Sequence, residues 1–188
     1  MITFGAKYLS DVTIGKVTNK KDVVPYKAAI VELNPDSLKD ILSLNIATSV
    51  LPKRKRFLHS IYSDFLSIGN KYCDNRLWTG YFALTKKQAS YEFIRPANIL
   101  GLAEVSSKGL KNDVIYLEYL QTLKNLFFNK TCFVGKSFLN FLKQAYPDKD
   151  IELFAVPPSV KFYLNNDFVI SEKLKSNGLT KMRYFSKK

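Results

Sequence analysis

A mixed α/β layer fold is what this sequence predicts, on three observations. Apolar runs that read as strands alternate with amphipathic helical stretches. Three such runs follow one another in the middle of the chain. The order strand, helix, helix, three strands, helix, strand, helix, two strands accounts for most of its length. With 188 residues the chain fits one domain, long enough to bury about 70% of the surface that its unfolded form exposes.

Each element has its own signal. Ile2 to Phe4 and Val12 to Val17 alternate briefly, so residues 1–26 read as an N-terminal extension or hairpin ahead of a single domain over 27–188. Lys27 to Leu33 reads as a strand. Asn34-Pro35-Asp36-Ser37 supplies turn and capping chemistry for a helix running to about Asn45. A second helix is expected from about Lys53 to Ile68, with Phe57, Leu58, Ile61, Phe65 and Ile68 on one stripe and Gly69-Asn70 at its end. Strands follow at Leu77 to Thr85, Ala97 to Ser106 and Val114 to Thr122. Gly135 to Tyr146 is helical, with Phe138, Leu139 and Leu142 facing the core, and Pro147-Asp148 stops it. Ile151 to Val156 reads as a buried strand ended by Pro157-Pro158. A short helix from Ser159 to Asn166 leads to final strands near Phe168 to Glu172 and Lys181 to Phe185.

Composition excludes several classes. A hydrophobic fraction of 46% with 14% aromatics argues against disorder. No apolar run approaches the roughly 18 to 20 residues of a membrane span, and Met1 to Asp11 lacks the pattern of a secretory signal. Cys73 and Cys132 stand without a CxxC or Cys/His spacing, and His59 is the one histidine, so a zinc site would need unusual carboxylate ligands. The expectation is a cytoplasmic, metal-free protein with reduced thiols. The net charge of +13 is dense at Lys53-Arg54-Lys55-Arg56 and again among Lys173, Lys175, Lys181, Arg183, Lys187 and Lys188. It fits either a polyanionic partner such as RNA or a lysine-rich composition with solvated charge.

The segment from Asp113 to Phe168 carries the chemistry. An apolar strand and a loop lead into Val134-Gly135-Lys136-Ser137, a glycine-marked helix start. Such a start presents unpaired backbone N–H groups and a positive dipole end to a phosphate-bearing ligand. Tyr163 follows one strand later and can supply a proton there, which points to a cofactor-using transferase. Gly135-Lys136-Ser137 is not the end of a nucleotide P-loop, because Lys130 stands where that motif needs its first glycine. Taken alone, Gly135 can equally permit a turn, and Tyr163 can equally be a core aromatic beside Phe162.

With these residues in place the chain resembles the GNAT superfamily of acyl-CoA-dependent N-acyltransferases. Leu120-Gln121-Thr122 matches the end of that family's strand before its main helix. Lys130-Thr131-Cys132-Phe133-Val134-Gly135 maps onto its pyrophosphate loop, Arg/Gln-x-x-Gly-x-Gly/Ala. Phe162-Tyr163-Leu164-Asn165-Asn166-Asp167-Phe168 matches its Phe-Tyr-x-x-x-Gly-Phe. The resemblance spans roughly Lys27 to Phe185. It departs at Lys130, at Phe133 in place of the first glycine, and at Asp167 in place of the last.

The resemblance implies an α/β (α+β) fold whose mixed, mostly antiparallel central sheet is flanked by about four helices. It also implies an N-acetyltransferase that moves an acetyl group from acetyl-CoA (coenzyme A) to a primary amine. Phe133, Val134, Gly135, Lys136 and Ser137 would seat the diphosphate. Leu120 to Thr122 would pair with the peptide-like pantetheine arm by strand addition. Pro157-Pro158 would help splay the neighbouring strand and open the slot. Tyr163 is then the acid for the departing thiolate, and Glu118 the base for the amine, placed by the two-residue period on one face with Tyr116 and Leu120. Glu104 is the alternative base, and His59 lies opposite its helix's apolar stripe.

Three functions remain open at this level: an acetyltransferase on an RNA-linked amine such as aminoacyl-tRNA, one on a small-molecule or protein amine, and a non-catalytic basic module that binds RNA or a protein partner. No membrane contact is expected, and a homodimer is among the assemblies left open.

Overall fold

The computed structural model describes residues 5–49, 61, 63, 65–66, 76–108, 113–123, 131–173 and 178–186. The chain begins with two long strands, β1 (Lys7–Val17) and β2 (Val23–Leu33), paired antiparallel around a turn in which Thr18 and Asp22 close the ends. They form a hairpin, and the boundary expected between residues 26 and 27 falls inside β2.

Helix α1 (Leu38–Ser49) follows. Its start is built by short-range chemistry. The Asp40 amide donates to Ser37 Oγ at 3.4 Å, and the Asp40 carboxylate accepts from the Asn34 amide at 2.8 Å. The helix expected over 53–68 lies largely outside the described residues, as do Lys53–Arg56, His59 and Cys73. Within it Ile61, Ser63, Phe65 and Leu66 are helical, and Ile61 and Phe65 are buried.

The remaining elements are β3 (Arg76–Lys86), a 3-10 turn (Pro96–Asn98), β4 (Ile99–Lys108), β5 (Val114–Thr122), β6 (Thr131–Cys132), α2 (Val134–Ala145), β7 (Asp150–Ala155), α3 (Pro157–Leu164), β8 (Val169–Lys173) and β9 (Thr180–Tyr184). The strand expected from Ala97 starts two residues later because Pro96 opens the 3-10 turn. Pro157 and Pro158, expected to end a strand, occupy the first turn of α3, where a missing N–H and a fixed φ cost nothing. Three α-helices stand among the described residues, against about four expected, with Ile61, Ser63, Phe65 and Leu66 marking one more that is only partly described. None of them is long and apolar enough to cross a membrane.

Among the described residues nine strands join one sheet in the order β6-β1-β2-β3-β4-β5-β7-β9-β8. Every pairing is antiparallel except β5 with β7, between which α2 forms the crossover. Alternation along the strands feeds two cores. Ile30, Leu84, Ala103 and Leu117 pack with Phe138, Leu139 and Leu142 of α2. Val31, Ala83 and Leu102 pack with Leu44 and Ala47 of α1. The sheet therefore carries α1 on one face, and α2 with α3 on the other.

Candidate functional site

The site originates where two adjacent strands part. β5 and β7 are paired only at Val114↔Asp150, Ile115↔Ile151 and Tyr116↔Glu152. From Leu117 onward β5 keeps its partner β4 and has no ladder to β7. The parting begins beside a bulge. Tyr119 pairs with Glu104 and Leu117 with Val105, so Glu118 is the extra residue. A bulge bends its strand and sharpens the local twist. The opening thus starts upstream of Pro157-Pro158, beside the bulge and not at those prolines.

A cavity of about 670 Å³ fills the wedge. One wall is Leu120, Gln121 and Thr122 of β5. The floor is Cys132, Phe133, Val134, Gly135 and Lys136, and the far wall is α3, through Pro158, Ser159, Phe162 and Tyr163. Of the residues expected to hold a cofactor, Leu120, Thr122, Phe133, Val134, Gly135 and Lys136 meet here. Ser137 stands apart. It is buried, its hydroxyl donates to the Thr13 carbonyl at 3.2 Å, and its amide donates to the Phe133 carbonyl at 2.9 Å. Its role is to fasten α2 to β1.

The start of α2 has the geometry that a glycine loop would give, without the glycine. Phe133 sits at φ 64°, ψ 9°, in the left-handed region, which costs a non-glycine residue about 1–2 kcal/mol. The residue is 59% exposed, and its ring lies near β1, where a Cβ on Gly15 would come within 3.0 Å of it. The wedge is therefore not plugged by Phe133. Asp167, the other position where the resemblance expects glycine, is also left-handed at φ 68°. Gly135 serves close approach instead. A Cβ there would meet Phe162 Cζ at 3.0 Å and Thr122 Cγ2 at 3.6 Å, the two walls of the wedge. Lys130 lies outside the described residues.

Tyr163 is buried, 8% exposed, and packs edge-on against Phe162 and Phe168 with ring centroids at 5.0 and 5.5 Å. Burial pushes its phenol up to about 12. The turn after α3 is closed onto its carbonyl by the amides of Asn166 (2.9 Å) and Phe168 (3.2 Å).

Tyr163 also lines a second recess of about 270 Å³, and this one includes Glu118. The Glu118 carboxylate accepts a hydrogen bond from Ser106 Oγ at 2.6 Å. The bulge changes its company from that expected. Leu120 packs with Ile115 and Leu117 in the core under α2, whereas Tyr119 packs in the core under α1. The simple two-residue period does not survive the bulge. Glu104 is fully buried in β4, between Tyr81 of β3 and Tyr119 of β5 in the register, and lines neither cavity.

Sequence reasoning gave no site role to Ser159, Asn165 or Asn166, which line the cavity. For Ser159 a signal existed: it lies four positions before Tyr163 on one helix face. The basic residues near the C-terminus are partly committed within the sheet. Lys181 pairs with Glu152 at 3.1 Å, and Arg183 pairs with Asp150 at 2.8 Å and Glu152 at 3.0 Å. Burial alone would raise the Asp150 carboxyl, but the Ser186 amide and the Arg183 side chain hold it below the usual range.

Solved structures share this fold. The chain is similar to an acetyltransferase from Thermus thermophilus, with a TM-score of 0.57 at 13% identity over 83% of this chain and 95% of that one. It is similar to a protein from Desulfovibrio desulfuricans described as a GNAT-family acetyltransferase, with a TM-score of 0.54 at 12% identity over 84% and 96%. It is also similar to the PaiA N-acetyltransferase of Thermoplasma acidophilum solved with coenzyme A, with a TM-score of 0.51 at 12% identity over 84% and 98%. No protein-family model and no curated protein matches the sequence. What these likenesses establish is the fold.

Proposed function

We propose that the protein is an acetyl-CoA-dependent N-acetyltransferase acting on a primary amine. One observation carries the reading: the wedge between β5 and β7 joins the start of α2, the open edge of β5 and Tyr163 in a single cavity. The residues present fit coenzyme A. The amides at Val134 to Lys136 begin a helix and lie at the cavity floor, where a diphosphate is favoured. Lys136 is exposed there and adds a positive charge. Thr122 and Leu120 present a strand edge to an amide-bearing arm. The bound thioester supplies the activated acyl group.

The chain's own residues would do the rest. A phenol at about 12 keeps its proton throughout neutral pH, so Tyr163 donates a hydrogen bond to the departing sulfur. Complete transfer of that proton to a thiolate, whose conjugate acid lies near 8.5, is uphill. The donated hydrogen bond is therefore the main role. Glu118, in the adjoining recess, accepts the proton that the amine must lose. An RNA-linked acceptor draws support from the charge of +13 but less from the last strands, whose Lys181 and Arg183 are already paired.

Two measurements test the reading. Isothermal titration should show acetyl-CoA binding, and Tyr163→Phe should keep that affinity while turnover falls about 10- to 1000-fold. Absence of acetyl-CoA binding to the wild type would end the proposal.

A further inference from the structure

We infer that Ser159 is a second substrate-contacting hydroxyl, donating to the acyl carbonyl oxygen while Tyr163 donates to the sulfur. The inference rests on the acyltransferase reading and adds a residue to its chemistry. The larger cavity and the second recess meet at four shared residues, Leu120 and Gln121 of β5 and Ser159 and Tyr163 of α3. The thioester occupies the first, and the proton acceptor Glu118 lines the second, so the acyl carbon belongs at this join. Side-chain donors are few there. Leu120 has none, and Gln121 Nε2 donates to the Thr122 carbonyl at 2.9 Å.

Ser159 and Tyr163 stand four positions apart on one face of α3, which brings their Cβ atoms to about 5–6 Å. Helical side chains lean over the preceding turn, so the Tyr163 phenol reaches back toward Ser159. Among the described residues neither hydroxyl donates to a protein acceptor, and the two do not bond to each other. That is unusual here. Ser43, Ser49 and Ser137, in α1 and α2, all commit their hydroxyls to backbone carbonyls. Only the amide of Ser159 is engaged, at the Val156 carbonyl (2.8 Å). A thioester's sulfur and carbonyl oxygen hang on one carbon, so donors on successive turns address both. As the amine nitrogen attacks, the C–N bond forms and the carbonyl pair moves onto oxygen. The C–S bond then breaks with its pair leaving on sulfur, and the amine's proton passes to Glu118. Negative charge develops first at the atom facing Ser159 and then at the atom facing Tyr163, and donors aimed at developing charge lower the barrier.

The test is calorimetric binding of acetyl-CoA and of S-ethyl-CoA, which lacks the carbonyl, to the whole protein and two variants. Wild type should prefer acetyl-CoA by about threefold or more. Ser159→Thr should keep that preference and Ser159→Ala should lose it, with S-ethyl-CoA affinity alike in all three. Thiol release to hydroxylamine, corrected for the uncatalysed rate, should fall at least about tenfold in Ser159→Ala. A preference that survives in Ser159→Ala, or is absent from wild type, overturns the inference and leaves the cofactor reading standing. So does thiol release that Ser159→Ala leaves undiminished or that wild type does not show. If neither ligand binds the wild type, both readings fail together.

Discussion

The Lys143 ammonium of α2 lies 2.9 Å from the Asp167 carboxylate and 2.8 Å from the Asn166 carbonyl. It clamps the turn that follows Tyr163, with its charge 4.3 Å from the Tyr184 ring centre. The two partners are unequal, since Lys143 is 14% exposed and Asp167 81%. Removing the carboxylate costs little, because exposed pairs contribute about 0–1 kcal/mol. Removing the ammonium also strands a buried carbonyl. We expect Lys143→Met to lose about 1–3 kcal/mol in urea titration, and Asp167→Gly to stay within about 1 kcal/mol of wild type, since glycine relieves φ 68°. Equal losses for the two would contradict the clamp.

Phe133 offers the complementary case. Its backbone is left-handed and its ring largely exposed, so Phe133→Gly releases strain and forfeits little packing. Denaturation should show a gain of up to about 1 kcal/mol. Calorimetry should show acetyl-CoA affinity kept. A loss above about 1 kcal/mol would mean that the ring carries more packing than its exposure indicates.

Gly135 is the reverse. A valine there drives branched methyls into Phe162 and Thr122, which face each other across the wedge. The expected outcome is a loss of about 1–3 kcal/mol in stability and at least about tenfold in acetyl-CoA affinity. Unchanged affinity in a folded variant would remove Gly135 from the site.

Burial also gives stability a pH dependence. Burial raises Asp40 to about 6, although the Asn34 and Ala6 amides oppose it. Between about pH 4 and 6 the folded form holds this proton and the unfolded form does not, so stability falls as pH rises through that window. Asp40→Asn should flatten the slope there, as followed by melting temperature against pH. A variant with an unaltered slope would place the dependence elsewhere.

At high pH the tyrosines act in the same sense. Tyr163 and Tyr146 are both pushed to about 12, chiefly by burial, with Glu32 adding to the effect on Tyr146. Above about pH 10 the unfolded chain ionises phenols that the folded chain keeps neutral, so stability declines between about pH 10 and 12. Tyr163→Phe should make that decline shallower. The check is the urea midpoint at pH 9 and pH 11 for both proteins.

Much of this site was legible in the sequence because its signals are local. The β5 run, the amphipathic face of α2 and the Phe162-Tyr163 pair all report on neighbours within a few residues. Features set by distant partners were not legible. Nothing near Ser137 announces that Thr13 will accept its hydroxyl. The period-two reading of Glu118 fails at a bulge that only the register with β4 defines. Pro157-Pro158 could end a strand or begin a helix, and the fold uses them for the second.

Three rungs of ladder are all that join β7 to β5. In effect the sheet is two plates fastened along a short hem, β6 through β5 on one side and β7, β9 and β8 on the other. Thermal opening should run along that hem first, so the smaller plate would peel away as a unit in native-state exchange. The line along which the two strands part is also the line along which the sheet would come apart.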